Sequence, residues 1–582
     1  MEIDATKTRA AVSNAHLSDT VAALCAIGEK VAGSNEEAIA CAHIVEKLRS
    51  YGYEPVVHEF LSYVSHPVST RLLIHGERTE EIAAVGVSFG LSTPKEGTRA
   101  AIVLAGAGTE EDFARVDARG KVALISKLPS PNNALAAAKA GAIGLICSSA
   151  GKQRHKMIIT PVWGTPEFDQ VKAIPRVAVA SISAVDRKAI EARMASGEVE
   201  ATLHCEVAEG WRTLRLPVAE LKGRESPFAL VGAHYCSWFD GSTDNVTGDA
   251  CVLELARVLK AHEGQLKHGI RFCWWPGHSH GRYSGSTWYA DTFWHELHDD
   301  AIVYFNIDSP GVRGATVYVP RHQMAEVAAY NEGMTREITG WTIVSSAKAQ
   351  LALGKRGDKY VSATRPSRAA DQSFWGVGVS SMSVYSMLTP EDPDRDQNVG
   401  GSGGAWWWHS EHETIDKFDA DILAQDTRLY ASILLGLATK EVLPFETAAI
   451  ATDYLDSLRE YDEAAGDVLP IAALLAEARA LRAALEAFDT RAEGLTGAKA
   501  SAANRTILRV ARTLNPILYQ ATTPFAHDPA LGSRALPSLA PILALKANPP
   551  DSDAFRFAVV GILRRMNAVR HQMREAKRLV EA

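Results

Sequence analysis

Four apolar segments of this sequence each end at a side chain that can bind a metal ion or move a proton. The segments are residues 229–233, 272–275, 302–305 and 406–408. The polar residues that follow them are, in chain order, His234, then His278 and His280, then Asp308, and finally His409. A loop after the first segment adds Asp240 and Asp244. Imidazole and carboxylate together suit zinc or a similar divalent ion, so this pattern predicts a metal site built at strand ends.

The elements that must position these side chains are predicted to be strands alternating with helices. Residues 229–233 form a short apolar run typical of a buried strand, and residues 249–259 have the apolar spacing of a helix. Repetition of this order over about 216–445 predicts an α/β domain with a mostly parallel sheet and helices on both faces. Open sheets of this class place their chemistry at the carboxyl ends of the strands, where the His and Asp residues stand.

The motifs around these residues resemble those of the co-catalytic zinc aminopeptidases, a family that includes glutamate carboxypeptidase and the catalytically inactive transferrin receptor. The matching pieces are GAHYCS at 232–237, GSTDNVTG at 241–248, GSTWYA at 285–290, NID at 306–308, ADQSFW at 370–375 and WHSEHETIDK at 408–417. By position, the resemblance implies metal ligands at His234, Asp244, Asp308 and His409, with Asp244 bridging two ions. The implied cofactor is a divalent metal, most often zinc, with one or two ions bound.

Two positions depart from the family's pattern. Family members usually have an Asp two residues after the first His ligand, and this chain has Cys236 there. They also have a Glu-Glu pair after the second strand, in which the first Glu is the general base and the second is a metal ligand. Counted from the second apolar segment, that pair falls on His278 and Ser279. Counted back from the GSTWYA motif, the ligand position falls on His280 instead.

Neither count finds a carboxylate, and this changes the expected chemistry. His278 becomes the candidate catalytic base, or else it is a further metal ligand and the base lies elsewhere. Loss of the two negative charges favours one ion over two. The neighbouring Asp371, His412 and Glu413 are expected to support the site, Asp371 in a structural role and Glu413 by holding the loop of His409.

Aromatic residues crowd the candidate ligand positions and suggest a substrate class. They are Trp238, Trp274, Trp275, Tyr283, Trp406, Trp407 and Trp408. Aromatic walls suit a small substrate that is aromatic, apolar or cationic, although strand alternation would leave about half of these side chains in the core. A more electropositive site also suits a carboxylate-bearing ligand, for which Arg282 and Arg365 are candidate clamps. The Gly-rich stretch 391–404 is either a lid or a connector, and 345–367 is predicted to be a loop.

The chain is too long, at 582 residues, for a single core, and about two to four domains are expected. We predict the N-terminal part of the catalytic domain at 1–60, a β-rich insert at 61–215, the metal-binding catalytic domain at 216–445 and a helical region at 446–582. The segment at 120–149 resembles the protease-associated domain, which implies an insert that narrows access to the site. The stretch at 514–542 resembles the dimerisation domain of the transferrin receptor branch, which implies a homodimer.

The composition excludes several classes of partner. A formal net charge of −8 favours neither nucleic acid nor an anionic lipid surface. No run approaches the roughly 20 apolar residues of a membrane helix, and the first residues lack a basic-then-apolar signal pattern. The seven cysteines are scattered, several inside apolar runs, as reduced core thiols are. We therefore expect a cytoplasmic protein. Its homodimer should bury the apolar stripe of the last helix, formed by Phe555, Val559, Ile562, Met566 and Val569.

Three functions fit these observations. The first is a metal-dependent hydrolase of a small amide or peptide-like substrate on an aminopeptidase-like scaffold with altered catalytic residues. The second is a metal-dependent lyase or isomerase on the same scaffold, suggested by the missing Glu-Glu pair. The third is a non-catalytic, receptor-like dimer. Retention of the four ligand positions counts against the third function, because a dead site has no reason to keep them.

Overall fold

The computed structural model describes residues 4–344, 357–362 and 365–582. Its N-terminal part contains α1 (Ala5–Ala10), α2 (Asn14–Cys25), α3 (Asn35–Ser50) and the long strand β1 (Val56–His75). Helix α3 begins where Ser34 Oγ accepts a hydrogen bond from the backbone N–H of Glu37 at 3.2 Å. The buried face of α3 carries the apolar positions that its sequence spacing indicates, which are Ala40, Ile44, Val45 and Leu48.

A β-rich insert follows β1. Its strands are β2 (Glu80–Ile82), β3 (Val87–Ser88), β4 (Thr98–Leu104), β5 (Val122–Ile125), β6 (Gly144–Ser148), β7 (Met157–Ile158), β8 (Ala178–Ile182) and β9 (Glu200–Leu221), and its helices are α4 (Glu110–Ala114), α5 (Pro131–Lys139) and α6 (Ala184–Met194). Strands β4, β5, β6 and β8 run parallel in that order. Strands β1 and β9 pair antiparallel from Val56↔Val218 to His75↔Glu200. The predicted boundaries at residues 61 and 215 lie inside these two strands, so one continuous sheet joins the insert to the catalytic part.

The catalytic part is built on the other side of β9. Its strands are β10 (Phe228–His234), β11 (Gly269–Trp275), β12 (Ala301–Asn306), β13 (Val317–Arg321), β14 (Thr342–Val344), β15 (Tyr360–Ser362) and β16 (Ser380–Met387), and its helices are α7 (Thr247–Lys260), α8 (His278–Gly281), α9 (Ser284–Thr292), α10 (Trp294–Asp300), α11 (Ala325–Thr339) and α12 (Ala420–Thr439). The strand order is β13-β16-β12-β10-β11-β9, in which β16, β12, β10 and β11 are parallel and the two outer strands antiparallel. The predicted α/β fold, with a mostly parallel central sheet flanked by helices, is confirmed.

Burial on both faces explains why β10 is apolar without alternation. Every residue of β10 is buried, because the strand lies between two parallel neighbours and helices cover the sheet. Helix α7 packs onto it through the apolar face that the sequence predicts. The side chains of that face, Val252, Leu255, Ala256 and Leu259, are all completely buried. Strand and helix therefore hold the loop between them, and with it Asp244, at a defined place on the sheet edge.

The C-terminal region is helical, with α13 (Thr447–Ala465), α14 (Ile471–Ala492), α15 (Gly497–Tyr519) and α16 (Asp553–Glu581). The apolar stripe of α16 is not free for a dimer partner, because it packs inside the chain. Its residues Phe555, Ile562, Met566 and Val569 are buried in the same hydrophobic core as the other helices. The sequence pattern predicted that this stripe forms a dimer interface. That expectation failed because a sequence does not show which neighbour covers an amphipathic face. The apolar side chains that α16 exposes instead are Phe557, Val560 and Leu563.

Three further expectations concern loops, cysteines and membranes. The predicted loop at 345–367 lies largely outside the described residues. Residues 391–404 form turns and a short 3-10 helix at Ser402–Gly404. The seven cysteines are buried free thiols. Among the described helices, none has the length and apolar character that crossing a bilayer requires.

Candidate active site

Strands β10 and β12 deliver two of the predicted ligands to one edge of the sheet. Gly232 pairs with Asn306 in the parallel register, so His234 and Asp308 both stand two residues further on, at the same level. The Nε2 atom of His234 lies 3.8 Å from Oδ1 of Asp308. Because sheet register sets this distance, the two side chains meet although 74 positions separate them in the sequence.

The loop after β10 brings the third ligand to the same point. Asp244 Oδ1 lies 2.9 Å from His234 Nε2. A tight turn at Gly241, with φ of 59°, makes this possible, and a Cβ on that residue would lie 2.4 Å from Cβ of Ser237. The ligand atoms of His234, Asp244 and Asp308, here called the His234 cluster, all lie within 4.8 Å of one another.

The His234 cluster fits a divalent metal by the state of its donor atoms. His234 Nδ1 faces the backbone carbonyl of Cys236 at 3.1 Å, which directs the ring proton to Nδ1 and leaves a lone pair on Nε2. That Nε2 is buried and makes no hydrogen bond, although Asp244 Oδ1 is close. The carbonyl of Cys236 thus takes the orienting part that an Asp side chain plays in the family pattern.

Electrostatics in the His234 cluster also call for a cation. Burial raises the pKa of Asp308, and the neighbouring negative charge of Asp244 raises it further. Burial lowers the pKa of His234, but the contacts with Asp244, Cys236 and Asp308 together outweigh burial and raise that pKa well above its usual value. One buried and one largely buried carboxylate therefore compete for one positive partner, and a divalent ion relieves their repulsion better than one proton does.

His409 contacts the other oxygen of Asp244. Its Nε2 lies 2.8 Å from Asp244 Oδ2, so the carboxylate faces one imidazole with each oxygen, as a bridging carboxylate does. Glu413 holds the His409 backbone, whose N–H donates to Glu413 Oε2 at 2.8 Å. Glu413 also accepts hydrogen bonds from Thr243 and Ser402. Burial lowers the pKa of His409, which keeps the ring neutral and able to bind a metal.

The His409 side of Asp244 lacks a third ligand. Within the described ranges, no other His, Cys, Asp or Glu joins His409 and Asp244 in a group of that kind. Trp408 Nε1 instead donates a hydrogen bond to Asp244 Oδ2 at 2.7 Å. The indole N–H therefore occupies a lone pair of the Asp244 oxygen that a second ion would need.

His278 stands beside the cluster and is held by Asp371. The Nδ1 atom of His278 lies 2.8 Å from Oδ2 of Asp371, and Asp371 Oδ1 accepts a hydrogen bond from Ser286 Oγ at 2.9 Å. The His278 ring stacks on His234, with ring centroids 3.8 Å apart. The sequence assigned Asp371 only a structural role, and nothing in its local pattern signals that it orients a histidine 93 positions away.

His280 does not join the His234 cluster. Its ring lies beside His66 and Trp238, with ring centroids 5.6 Å and 5.9 Å away. The alternative count, which placed His280 at the family's ligand position, therefore has no support in the geometry. The physical reason is the tight turn of α8, which points residues 278 and 280 in different directions.

Comparison with known proteins finds related sequences. Residues 218–434 match the sequence profile of Peptidase family M28. The probable glutamate carboxypeptidase VP8 of Zea mays is 23% identical over 359 residues, which are 51% of this chain and 50% of the maize protein. Aminopeptidase YwaD of Bacillus subtilis is 24% identical over 439 residues, which are 74% of this chain and 86% of that protein.

The family match covers residues 218–434 of the 582-residue chain, and the chain spans about half the length of the maize relative. The resemblance to zinc aminopeptidases and glutamate carboxypeptidase, predicted from the motifs, is confirmed. Solved structures show the same fold. An aminopeptidase of Aneurinibacillus sp. strain AM-1 has a TM-score of 0.55 at 20% identity, covering 75% of this chain and 96% of its own. A peptidase M28 precursor of Shewanella amazonensis has a TM-score of 0.59 at 20% identity, covering 75% and 97%.

The His234 cluster opens into a cavity of about 240 Å³. Of the aromatic residues singled out in the sequence, Trp238, Tyr283 and Trp408 line it. Trp274, Trp275 and Trp407 are instead fully buried core residues. A larger cavity of about 830 Å³ is lined mainly by the insert, together with Gln397, Asn398 and Leu531, and contains none of the candidate ligands.

The two predicted carboxylate clamps behave differently. Arg282 lines the cavity, and its guanidinium donates to the backbone carbonyls of Ile158 and Thr160. Arg365 lies elsewhere and forms an ion pair with Asp453, so the prediction that it clamps substrate is wrong. Sequence spacing could not reveal this pairing, because Asp453 belongs to α13 in the helical region.

Three cavity residues had no signal in the sequence: Arg321, His322 and Tyr385. Tyr385 Oη donates to Asp308 Oδ2 at 3.4 Å. Arg321 lies over the Tyr385 ring at 4.7 Å, and its buried Nε has no hydrogen-bond partner. All three come from the antiparallel β13–β16 pair or the turn after it, so strand pairing brings them to the cavity.

The insert contributes directly to the site. Met157 and Ile158 of β7 line the cavity, and the backbone N–H of Lys156 donates to the carbonyl of His409 at 3.0 Å. The Trp163 ring lies 4.4 Å from that of Tyr283. These contacts place one wall of the cavity on the insert.

Proposed function

We propose that this protein is a zinc-dependent hydrolase of a small amide or peptide-like substrate. The observation that carries the proposal is the His234 cluster, three converging donors whose buried imidazole nitrogen has no hydrogen-bond partner. The match to a peptidase family supports hydrolysis, and the relatives named above are aminopeptidases and a carboxypeptidase. The ligands of the ion would be His234, Asp244 and Asp308.

When bound, such an ion lowers the pKa of water and polarises a carbonyl group. The chain itself supplies proton transfer through His278, whose Nδ1 is engaged by Asp371 and whose Nε2 is left to accept a proton. Burial raises the pKa of Tyr385 well above its usual value, so its hydroxyl keeps the proton that it donates to Asp308 Oδ2 and helps to hold that carboxylate in place. His278 thus replaces the usual glutamate base.

A single catalytic ion is the arrangement we propose. Asp244 and His409 together offer two donors, and the indole of Trp408 already binds Asp244 Oδ2. The family's second glutamate is replaced by Ser279, which cannot supply negative charge. His409 then orients Asp244 and leaves the cluster with one strong metal site.

The cavity supports a narrow substrate range. Its volume of about 240 Å³ suits one small molecule, and Trp238, Tyr283 and Trp408 provide aromatic walls. Arg321 brings a positive charge with an unpaired buried donor, which favours a carboxylate-bearing substrate. We further propose that the insert, which supplies one wall, restricts access as a protease-associated domain does, and that the protein is cytoplasmic.

Restoring the family's glutamates tests this function. We expect the unmodified protein to be a poor general aminopeptidase on chromogenic aminoacyl and acidic dipeptide substrates. The double change His278→Glu with Ser279→Glu should raise this activity and add one equivalent of bound metal, because it supplies both a base and a missing ligand. Ser279→Ala is the matched control and should change neither quantity.

High aminopeptidase activity of the unmodified protein would contradict this proposal. If the unmodified protein already turns over these substrates at roughly 1–1000 per second, the range of an ordinary enzyme, the narrow specificity is wrong and His278 is merely an alternative base. A lyase or isomerase is the second candidate, because an imidazole held by a carboxylate can also take a proton from carbon. Product analysis separates the two, since only hydrolysis consumes water.

We also propose a homodimer formed through the helical region. The exposed apolar side chains of α16, Phe557, Val560 and Leu563, are the candidate contact surface. The change Phe557→Asp with Val560→Asp should convert the dimer to a monomer in sedimentation. Phe168→Asp, at an exposed phenylalanine of the insert, is the control. A double variant that still sediments as a dimer would contradict this surface.

A further inference from the structure

A second group of potential ligands lies outside the proposed catalytic centre. His280 is fully buried, and neither of its ring nitrogens has a hydrogen-bond partner. Leaving such a group unpaired in the interior costs free energy, and native proteins rarely do so without a ligand or water at that place. The orphaned ring therefore points to an unassigned partner.

The neighbours of His280 supply the rest of a metal site. His66 comes from β1, and its buried Nδ1 also has no hydrogen-bond partner. Glu29 comes from the loop between α2 and α3. The ligand atoms of these three residues all lie within 4.8 Å of one another. Among the described residues, this group and the His234 cluster are the two that could hold an ion.

We propose that Glu29, His66 and His280 form a second binding site for a divalent transition metal, with zinc as the ion it takes. Two imidazoles and one carboxylate are a ligand set that zinc uses in proteins. We call these three residues the Glu29 site. It is separate from the catalytic cluster, since it shares none of the residues of the His234 cluster and Trp238 stands between His280 and His409.

Lys156 would compete with this ion for the carboxylate of Glu29. Its Nζ lies 2.6 Å from Oε1 of Glu29, so a positive charge already faces the carboxylate. The same ammonium lies 4.3 Å from the ring centroid of Phe239, which offers it an alternative contact. Binding of the metal would displace the ammonium from Glu29 and leave it over that aromatic face.

The position of the Glu29 site indicates what the metal does. Lys156 belongs to the insert, while Glu29, His66 and His280 come from three other segments of the chain. The backbone N–H of Lys156 also donates to the carbonyl of His409. An ion at the Glu29 site would therefore join the α2–α3 loop, β1 and α8, and would release the Lys156 side chain of the insert from Glu29, next to His409, which contacts Asp244.

Metal stoichiometry on the full-length protein tests this site. After loading with zinc and gel filtration, elemental analysis should find two equivalents in the unmodified protein. His66→Gln and Glu29→Gln should each lose one equivalent, and Asp244→Asn should lose the other. His58→Gln, a change on the same strand at a ring packed against aromatic residues, is the matched control and should keep both.

A thermal measurement separates binding from misfolding. In Asp244→Asn protein, added zinc should raise Tm through the remaining site, and the further change Glu29→Gln should abolish the rise. If folded Asp244→Asn protein holds no zinc and shows no shift, the Glu29 site does not exist. Loss of the only equivalent in His66→Gln, with none lost in Asp244→Asn, would support the Glu29 site and instead overturn the proposed catalytic ion.

Discussion

Replacing Asp244 with asparagine should remove one equivalent of metal and abolish hydrolysis. The carboxylate lies within 2.9 Å of the imidazoles of both His234 and His409, one at each oxygen. Asparagine keeps the shape but removes the charge, so a divalent ion loses its principal anionic ligand. The expected loss of affinity exceeds the roughly 10–100-fold that removal of an outer-sphere partner costs. Elemental analysis and a hydrolysis assay measure the two effects.

The control for this experiment is Asp240→Asn, at the same loop but outside the cluster. It should retain metal and activity. Circular dichroism must show that the Asp244→Asn protein is folded, so that metal loss reports ligation. An Asp244→Asn protein with full metal content would exclude Asp244 as a ligand and would remove the basis of the proposed catalytic site.

Replacing His278 with glutamine should lower kcat by about 10²–10⁴-fold while the metal stays bound, because the change removes the proton acceptor. KM should change little, since glutamine is close to histidine in size and the other residues that line the cavity are unchanged. Kinetics and metal analysis on the same preparation give these results. His412→Gln, at a half-exposed histidine near the site, is the control.

Asp371→Asn separates orientation from proton transfer. The neutral amide accepts a weaker hydrogen bond from His278 Nδ1 than the carboxylate does. His278 should therefore lose its fixed tautomer, and kcat should fall while the metal content stays unchanged. Metal loss in His278→Gln would contradict the base assignment and make His278 a ligand. A full kcat in both variants would place the base elsewhere.

Part of the candidate site could be predicted from residue patterns. His234 and Asp308 are brought together, because apolar runs that end in polar residues indicate parallel strands, and such strands end on one edge of the sheet. His278 stands beside them for the same reason. The apolar face of α7 likewise followed from its period, since burial of one helix face requires that spacing. Asp244 and His409 join His234 and Asp308 from loops, since the apolar run at 406–408 forms turns and not the predicted strand.

Contacts between segments that are distant in sequence could not be predicted from residue patterns. The partner of Arg365 is Asp453, not a substrate, and the stripe on α16 packs inside the chain. An amphipathic face or a charged side chain indicates only that some other group packs against it or pairs with it. Which partner it meets depends on packing between segments that are distant in sequence, and a local pattern carries no information about that distance.

The sequence by itself determined the fold class, the candidate metal ligands and the lack of a Glu-Glu pair at 278–279. These are properties of residue type and local period, which a chain expresses before it folds. Only the tertiary structure decided that Asp371 orients His278, that Cys236 acts through its carbonyl and that His280 turns away toward Glu29 and His66. Those outcomes depend on sheet register and on the turn of α8, because both set side-chain directions to within a few ångströms.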